Sequence, residues 1–132
     1  MTAPNTPFAS ADDLSRYIPF LMTRLSNRWA TNQNAALADL GLNGTMFRIL
    51  ASLSAYEQLT INQLSTLSVT EQSTTSRTVE HLVSSGHVKR LTDLNDQRVR
   101  TVILSQTGRD TLTRITPLIS ALYQDLLRDI PP

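Results

Sequence analysis

Leu67-Ser-Val-Thr-Glu-Gln-Ser-Thr-Thr-Ser-Arg77-Thr-Val-Glu-His-Leu-Val-Ser-Ser-Gly86-His-Val-Lys-Arg90 holds two structural periods in one stretch. Up to Gly86 the period is helical. On a helical wheel Thr75, Val79, Leu82 and Val83 share one side, and Thr70, Ser73, Thr74, His81 and Ser84 lie with Arg77 on the other. Gly86 supplies the left-handed residue that ends such a helix. Beyond it the period becomes two. His87-Val-Lys-Arg-Leu91 alternates, and so does Arg100-Thr-Val-Ile-Leu104, with the polar turn Thr92-Asp-Leu-Asn-Asp-Gln-Arg-Val99 between them. That pattern predicts a two-stranded hairpin with a protruding loop.

Upstream, Thr60-Ile-Asn-Gln63 is a Thr-x-x-Gln capping box. It predicts a short helix with Ile61, Leu64 and Leu67 toward the core, a turn at Ser68-Val69, and Thr70 as the cap of the next helix. Two short helices joined by a tight turn form a helix-turn-helix, and a hairpin directly after them makes it winged. Gly44-Thr45 starts a nearly all-apolar helix that ends near Ala55-Tyr56. Farther out, Leu14, Ile18, Leu21, Leu25, Trp29, Ala36 and Leu40 keep helical spacing from the cap Ser10-Ala-Asp-Asp13 to Gly41. Pro19 implies either a short first turn or a kink. Leu112, Ile115, Ile119, Leu122, Leu126 and Leu127 form a second stripe after Ser105-Gln-Thr-Gly108, with a kink expected at Pro117. The fold class is mainly α with a small β-hairpin wing: a winged helix-turn-helix flanked by long N- and C-terminal dimerisation helices. The expected organisation is a disordered arm at 1–9 and one domain at 10–132. Within it, about 43–105 is the winged core, and 10–40 and 106–130 are the long flanking helices.

The chain has 132 residues, of which 40% are hydrophobic and 17% charged. That balance excludes a disordered chain. The absence of cysteine excludes disulfides, thiolate zinc sites and thiol redox sensing. No apolar run approaches the ~20 residues of a membrane span, and the N-terminus has no secretory pattern, so a cytoplasmic protein is expected. Net charge is +1, yet Lys89 is the only lysine among twelve basic residues. Arginine suits phosphates and guanine edges, although codon usage in the source genome gives the same bias.

The recognition-helix stretch resembles that of the MarR family of bacterial transcriptional regulators. The segment Asp93-Leu-Asn-Asp96-Gln-Arg98-Val-Arg-Thr-Val-Ile-Leu-Ser-Gln-Thr-Gly108 looks like that family's Asp-x-x-Asp-x-Arg…Leu-(Ser/Thr)-x-x-Gly wing, and Asp39-Leu-Gly-Leu42 is similar too. The resemblance runs roughly from Leu14 to Leu127. It implies a dimeric DNA-binding repressor or activator, with about 43–105 as the DNA-binding core and 10–40 and 106–130 as the dimerisation helices, often relieved by a small phenolic or other aromatic effector. In the family a further helix usually follows the long C-terminal one. This sequence ends at Pro131-Pro132, about where that helix would begin, so a weaker dimer than the family norm is expected.

Candidate DNA contacts follow from the wheel and the wing. Recognition helices meet base edges with their N-terminal residues, which selects Thr70, Gln72, Ser73, Thr74, Ser76 and Arg77. Hydroxyls donate or accept, and Thr methyls meet thymine methyls. In the wing Arg98 is the candidate minor-groove finger, Asp96 its orienting carboxylate, and Arg100 and Lys89 weaker phosphate contacts. Glu71 and Glu80 repel phosphate, and Arg90 with Asp93 is expected to tie the hairpin base. Tyr17, Phe20, Trp29, Met46 and Phe47 are candidates for an effector pocket, with simple core as the competing reading. Arg16 and Arg48 are the basic residues put forward to meet an acid ligand. No catalytic constellation, metal set or cofactor is expected. The alternative function is a winged-helix protein–protein interaction module without sequence-specific DNA binding.

Overall fold

The structure is a computed structural model that describes residues 9–92, 95 and 100–128. The expected N-terminal arm lies outside the described residues except for Ala9, and so does Ile130-Pro131-Pro132.

Ser10 caps a short helix α1 (Ala11–Ser15) by accepting from Asp13 N–H at 3.1 Å. The chain breaks at Arg16-Tyr17, and α2 (Ile18–Ala38) begins with Pro19 in its first turn. There the missing N–H has no intrahelical partner to lose, so of the two sequence readings the short first turn is realised. Gly41 at φ 71 closes the end of α2. The α3 helix (Gly44–Tyr56) is capped twice: Asn43 Oδ1 accepts from Met46 N–H at 2.9 Å, and Asn34 Oδ1 of α2 accepts from Gly44 N–H at 2.6 Å. It is the central helix, with Ile49 and Leu50 fully buried.

Next come β1 (Gln58–Thr60), α4 (Ile61–Ser68), α5 (Gln72–Ser84), β2 (Val88–Thr92), β3 (Arg100–Leu104) and α6 (Gln106–Arg128). The Thr60–Gln63 capping box forms with both of its arms. The sheet is antiparallel in the order β1-β3-β2, with Val88 opposite Leu104 and Thr92 opposite Arg100. One core joins Leu37 of α2, Leu64 of α4, Val79 and Leu82 of α5, Val102 of β3 and Ile115 of α6 to α3. Ser105 locks the junction ahead of α6. Its hydroxyl donates to Gly86 O at 2.6 Å and accepts from Gly108 N–H at 3.0 Å.

Three expectations need correction. The hairpin gains a third strand, because β1 pairs with β3 through Leu59 and Val102. Thr70 does not cap α5: its hydroxyl donates backward to Ser68 O at 3.0 Å, and Glu71 is the cap residue without a side-chain bond. Leu67, read as core, is 39% exposed. The α6 helix runs through Pro117, where the sequence places a kink, as one element. Among the described residues no helix is long and apolar enough to cross a membrane.

Candidate nucleic-acid interface

The α5 helix is held by its buried side, so its other side is presented outward at a fixed rotation. Thr75, Val79 and Leu82 are buried, while Gln72, Ser73, Arg77, His81 and Ser84 are exposed. Thr70, Thr74 and Ser76 are half-buried at the rim. Two hydroxyls are taken up within the helix: Thr75 donates to Glu71 O at 3.0 Å and Thr78 to Thr74 O at 2.8 Å. Among the described residues, the side chains of Gln72, Ser73, Ser76 and Arg77 have no partner in the chain. The N-terminal half of α5 therefore offers a guanidinium, a carboxamide and hydroxyls with unused hydrogen-bonding capacity.

The hairpin stands beside this face. Strand alternation sets Arg90 and Arg100 on the side that carries Val88 and Val102, and Lys89 on the opposite side with Leu91 and Ile103. Among the described residues Arg90 reaches Glu80 of α5 at 3.7 Å; its expected partner Asp93 lies outside the described residues. The pair sets a cation beside the Glu80 carboxylate at the flank of α5. Arg100 shares the α5 side of the hairpin, whereas Lys89 is separated from it. Asp96 and Arg98, the wing-tip candidates, lie outside the described residues.

The five pocket candidates are not gathered in any one of the described clefts. Met46 is 7% exposed in the core, and Phe47 packs against that core from α3. Tyr17 is half-buried at the start of α2, and Phe20 is an exposed residue stacked under Arg24, with 5.1 Å from guanidinium carbon to ring centroid. Trp29 alone of the five lines the two clefts described between α2 and α6. One, of about 310 Å³, also involves Arg28, Asn32, Leu122 and Asp125. The other, of about 430 Å³, is almost wholly apolar and involves Met22, Leu25, Tyr123 and Leu126. Arg16 is paired with Asp12 at 3.3 Å.

Arg48 serves the turn ahead of α5: its Nε donates to Ser68 O at 2.8 Å. Sequence spacing gives no sign of this bond, which spans twenty residues. Val69, between the two helices of the motif, is 86% exposed and lies in the left-handed region at φ 53. A β-branched residue in a tight turn was the one available signal for it. Among the described residues no group of three or more His, Cys, Asp or Glu is placed to hold a metal ion.

A sequence profile described as the MarR family matches residues 42–99, the span from the start of the central helix into the wing. A MarR family transcriptional regulator from Silicibacter pomeroyi is 43% identical over 98% of this chain and 87% of its own, with a TM-score of 0.88. A second regulator of that family from the same organism is 37% identical over 90% of this chain and 80% of its own, at 0.79. A cysteine-to-serine mutant of MarR from E. coli, crystallised with operator DNA, has the same fold at 22% identity. It covers 93% of this chain and 89% of its own, with a TM-score of 0.78. No curated protein matches the chain.

Proposed function

Because the chain belongs to the MarR family of transcriptional regulators, we propose that it binds a pseudo-palindromic DNA operator as a homodimer and acts as a ligand-responsive repressor. The observation that carries this reading is the outward face of α5. Its buried side fixes the helix rotation, and its other side holds Gln72, Ser73, Ser76 and Arg77 with no partner in the described chain. A set of unspent donors and acceptors at a helix N-terminus is what base-edge readout needs. Arg77 forks onto a guanine, Ser73 and Thr74 tune the neighbouring steps, and Thr70 and Ser76 line the rim. From the wing, Arg98 enters the minor groove with Asp96 orienting it, and Arg100 meets the backbone. Lys89, on the far side of the hairpin, is at most a distant contributor to the electrostatic field.

Two-fold pairing is supported by apolar side chains that one chain leaves uncovered. Ile18 is 67% exposed, Met22 64% and Tyr123 51%, and Phe20, Leu21, Leu25 and Leu127 are also uncovered on the same two helices, the kind of apolar surface that marks an association site. Pairing α2 and α6 with their copies buries them, and a C2 axis is the commonest solution. An aromatic effector fits the clefts at Trp29 better than the core positions Met46 and Phe47. The protein then acts in the cytoplasm, on double-stranded DNA. Selection of bound duplexes from a random pool tests the reading. The expected result is an inverted repeat whose halves are about one helical turn apart. Recovery of random sequence alone would sink it.

A further inference from the structure

The turn between α4 and α5 holds a residue in a conformation that its own side chain resists. The α4 helix ends with Thr70 N–H donating to Ser65 O at 3.1 Å and Val69 N–H to Thr66 O at 3.3 Å. This Schellman pair requires a left-handed residue between the helix and Thr70, a place normally taken by glycine or asparagine. Here it is Val69, at φ 53 and ψ 52. A β-branched residue in that region is an outlier, because its Cβ crowds the following carbonyl oxygen.

Packing does not offset the strain. Val69 is 86% exposed, more than any other large hydrophobic residue described. The surroundings instead hold the turn closed. Ser68 is fully buried and its hydroxyl donates to Leu64 O at 2.6 Å; its carbonyl accepts from Arg48 Nε at 2.8 Å and from Thr70 Oγ1 at 3.0 Å. Folding gains nothing from the isopropyl group and would favour glycine. Strain that the surroundings enforce, at a surface, points to what the side chain meets outside the chain.

We propose that Val69 is a DNA-contact residue whose methyl groups press on the apolar surface of the duplex beside the bases read by the first turn of α5. That surface is either a thymine 5-methyl group or the C–H edge of a deoxyribose. The inference rests on the reading of α5 as the recognition helix and extends it to the turn. Val69 stands three residues before Gln72, at the leading edge of that helix. An apolar side chain at this edge discriminates thymine in the major groove by its methyl group.

The test compares wild type, Val69→Gly and Val69→Asn on the duplex obtained by selection. Both replacements adopt the left-handed conformation readily, so both are expected to raise the melting temperature. Both lack the methyl groups, so both are expected to weaken binding by about four- to fifteenfold, the scale of one or two buried carbons. The salt dependence of binding stays unchanged, because no phosphate contact is lost. Uracil in place of thymine tells the two apolar sources apart. If wild type weakens at one position where Val69→Asn is indifferent, the partner is the thymine methyl. If neither protein senses uracil while both variants bind weakly, it is the sugar. Wild-type affinity in either variant, or a changed salt dependence, overturns the proposal. A loss seen only in Val69→Gly belongs to that case and marks chain flexibility. If wild type selects no duplex at all, the reading of α5 falls and this inference falls with it.

Discussion

Arg77 stands exposed on α5 with no partner in the described chain, so its guanidinium has a full set of donors to spend. Replacing it leaves no buried group unsatisfied. Arg77→Ala is expected to fold as wild type does and to lose about 1–3 kcal/mol of binding to the selected duplex, as expected for one base contact. Fluorescence anisotropy titration gives the number, and equal affinity would remove Arg77 from the interface. Gly108 presents the opposite case. A Cβ there would stand far inside contact distance of His87 O and at 3.0 Å from Leu104 Cδ2. The first of these is backbone, held in place because Ser105 N–H donates to it at 3.0 Å. Gly108→Ala is therefore expected to destabilise the protein by about 1–3 kcal/mol through overpacking, seen as a lower urea midpoint. An unchanged midpoint would mean that α6 can slide relative to the sheet. Arg77 was legible in the sequence, since helical spacing alone places it opposite Val79 and Leu82. Arg48 was not, because the bond to Ser68 O exists only once α3 and α4 have packed.

At the scale of elements, local signals were readable where local chemistry decides the outcome. The Thr60–Gln63 box, the stop at Gly86 and the alternation of both hairpin strands need only nearby residues, and each stands where the sequence put it. The three-residue strand β1 is too short to show a period, and it is a strand only because β3 offers it a partner edge. Thr70 was misread for a related reason. Its hydroxyl has two acceptable uses, and the buried Ser68 carbonyl takes it backward instead of the α5 N-terminus taking it forward. Pro117 is a third kind of case, since it sits inside a helix whose stripe from Leu112 to Leu126 continues on both sides of it. The proline ring forfeits a hydrogen bond to Thr113 O and, being exposed, adds little packing inside the chain. Pro117→Ala should restore that bond. A gain of up to about 3 kcal/mol is expected, read from thermal unfolding at fixed protein concentration. A loss of stability instead would show that the proline sets a bend on which packing at α6 depends.

For the molecule as a whole, the same long helices serve two surfaces. Leu37 of α2 and Ile115 of α6 are fully buried against the winged helix. One or more turns away, Ile18, Leu21, Met22 and Leu25 on α2 and Tyr123 and Leu127 on α6 remain uncovered. The sequence stripes do not separate these two duties, because residues for the internal core and for a second copy follow the same period. The division appears only when the chain has packed and its leftover surface is known. Met22 is the cleanest probe of that leftover. It is 64% exposed, so a glutamate there reaches water in a single chain, and it borders the apolar cleft with Leu25, Trp29, Tyr123 and Leu126. If that face is buried between two copies, Met22→Glu removes two methionine side chains from the seam and places two carboxylates near a two-fold axis. The dimer dissociation constant should then rise by at least about tenfold, the scale of one methionine side chain withdrawn from burial. DNA binding should weaken with it, and more on a full inverted repeat than on a half-site, because only a dimer holds two recognition helices roughly 34–36 Å apart. Light scattering across a dilution series, paired with titrations of both duplexes, measures the two effects together. If neither the mass nor the preference for the full repeat changes, α2 and α6 pair through another face, or the operator itself assembles two monomers.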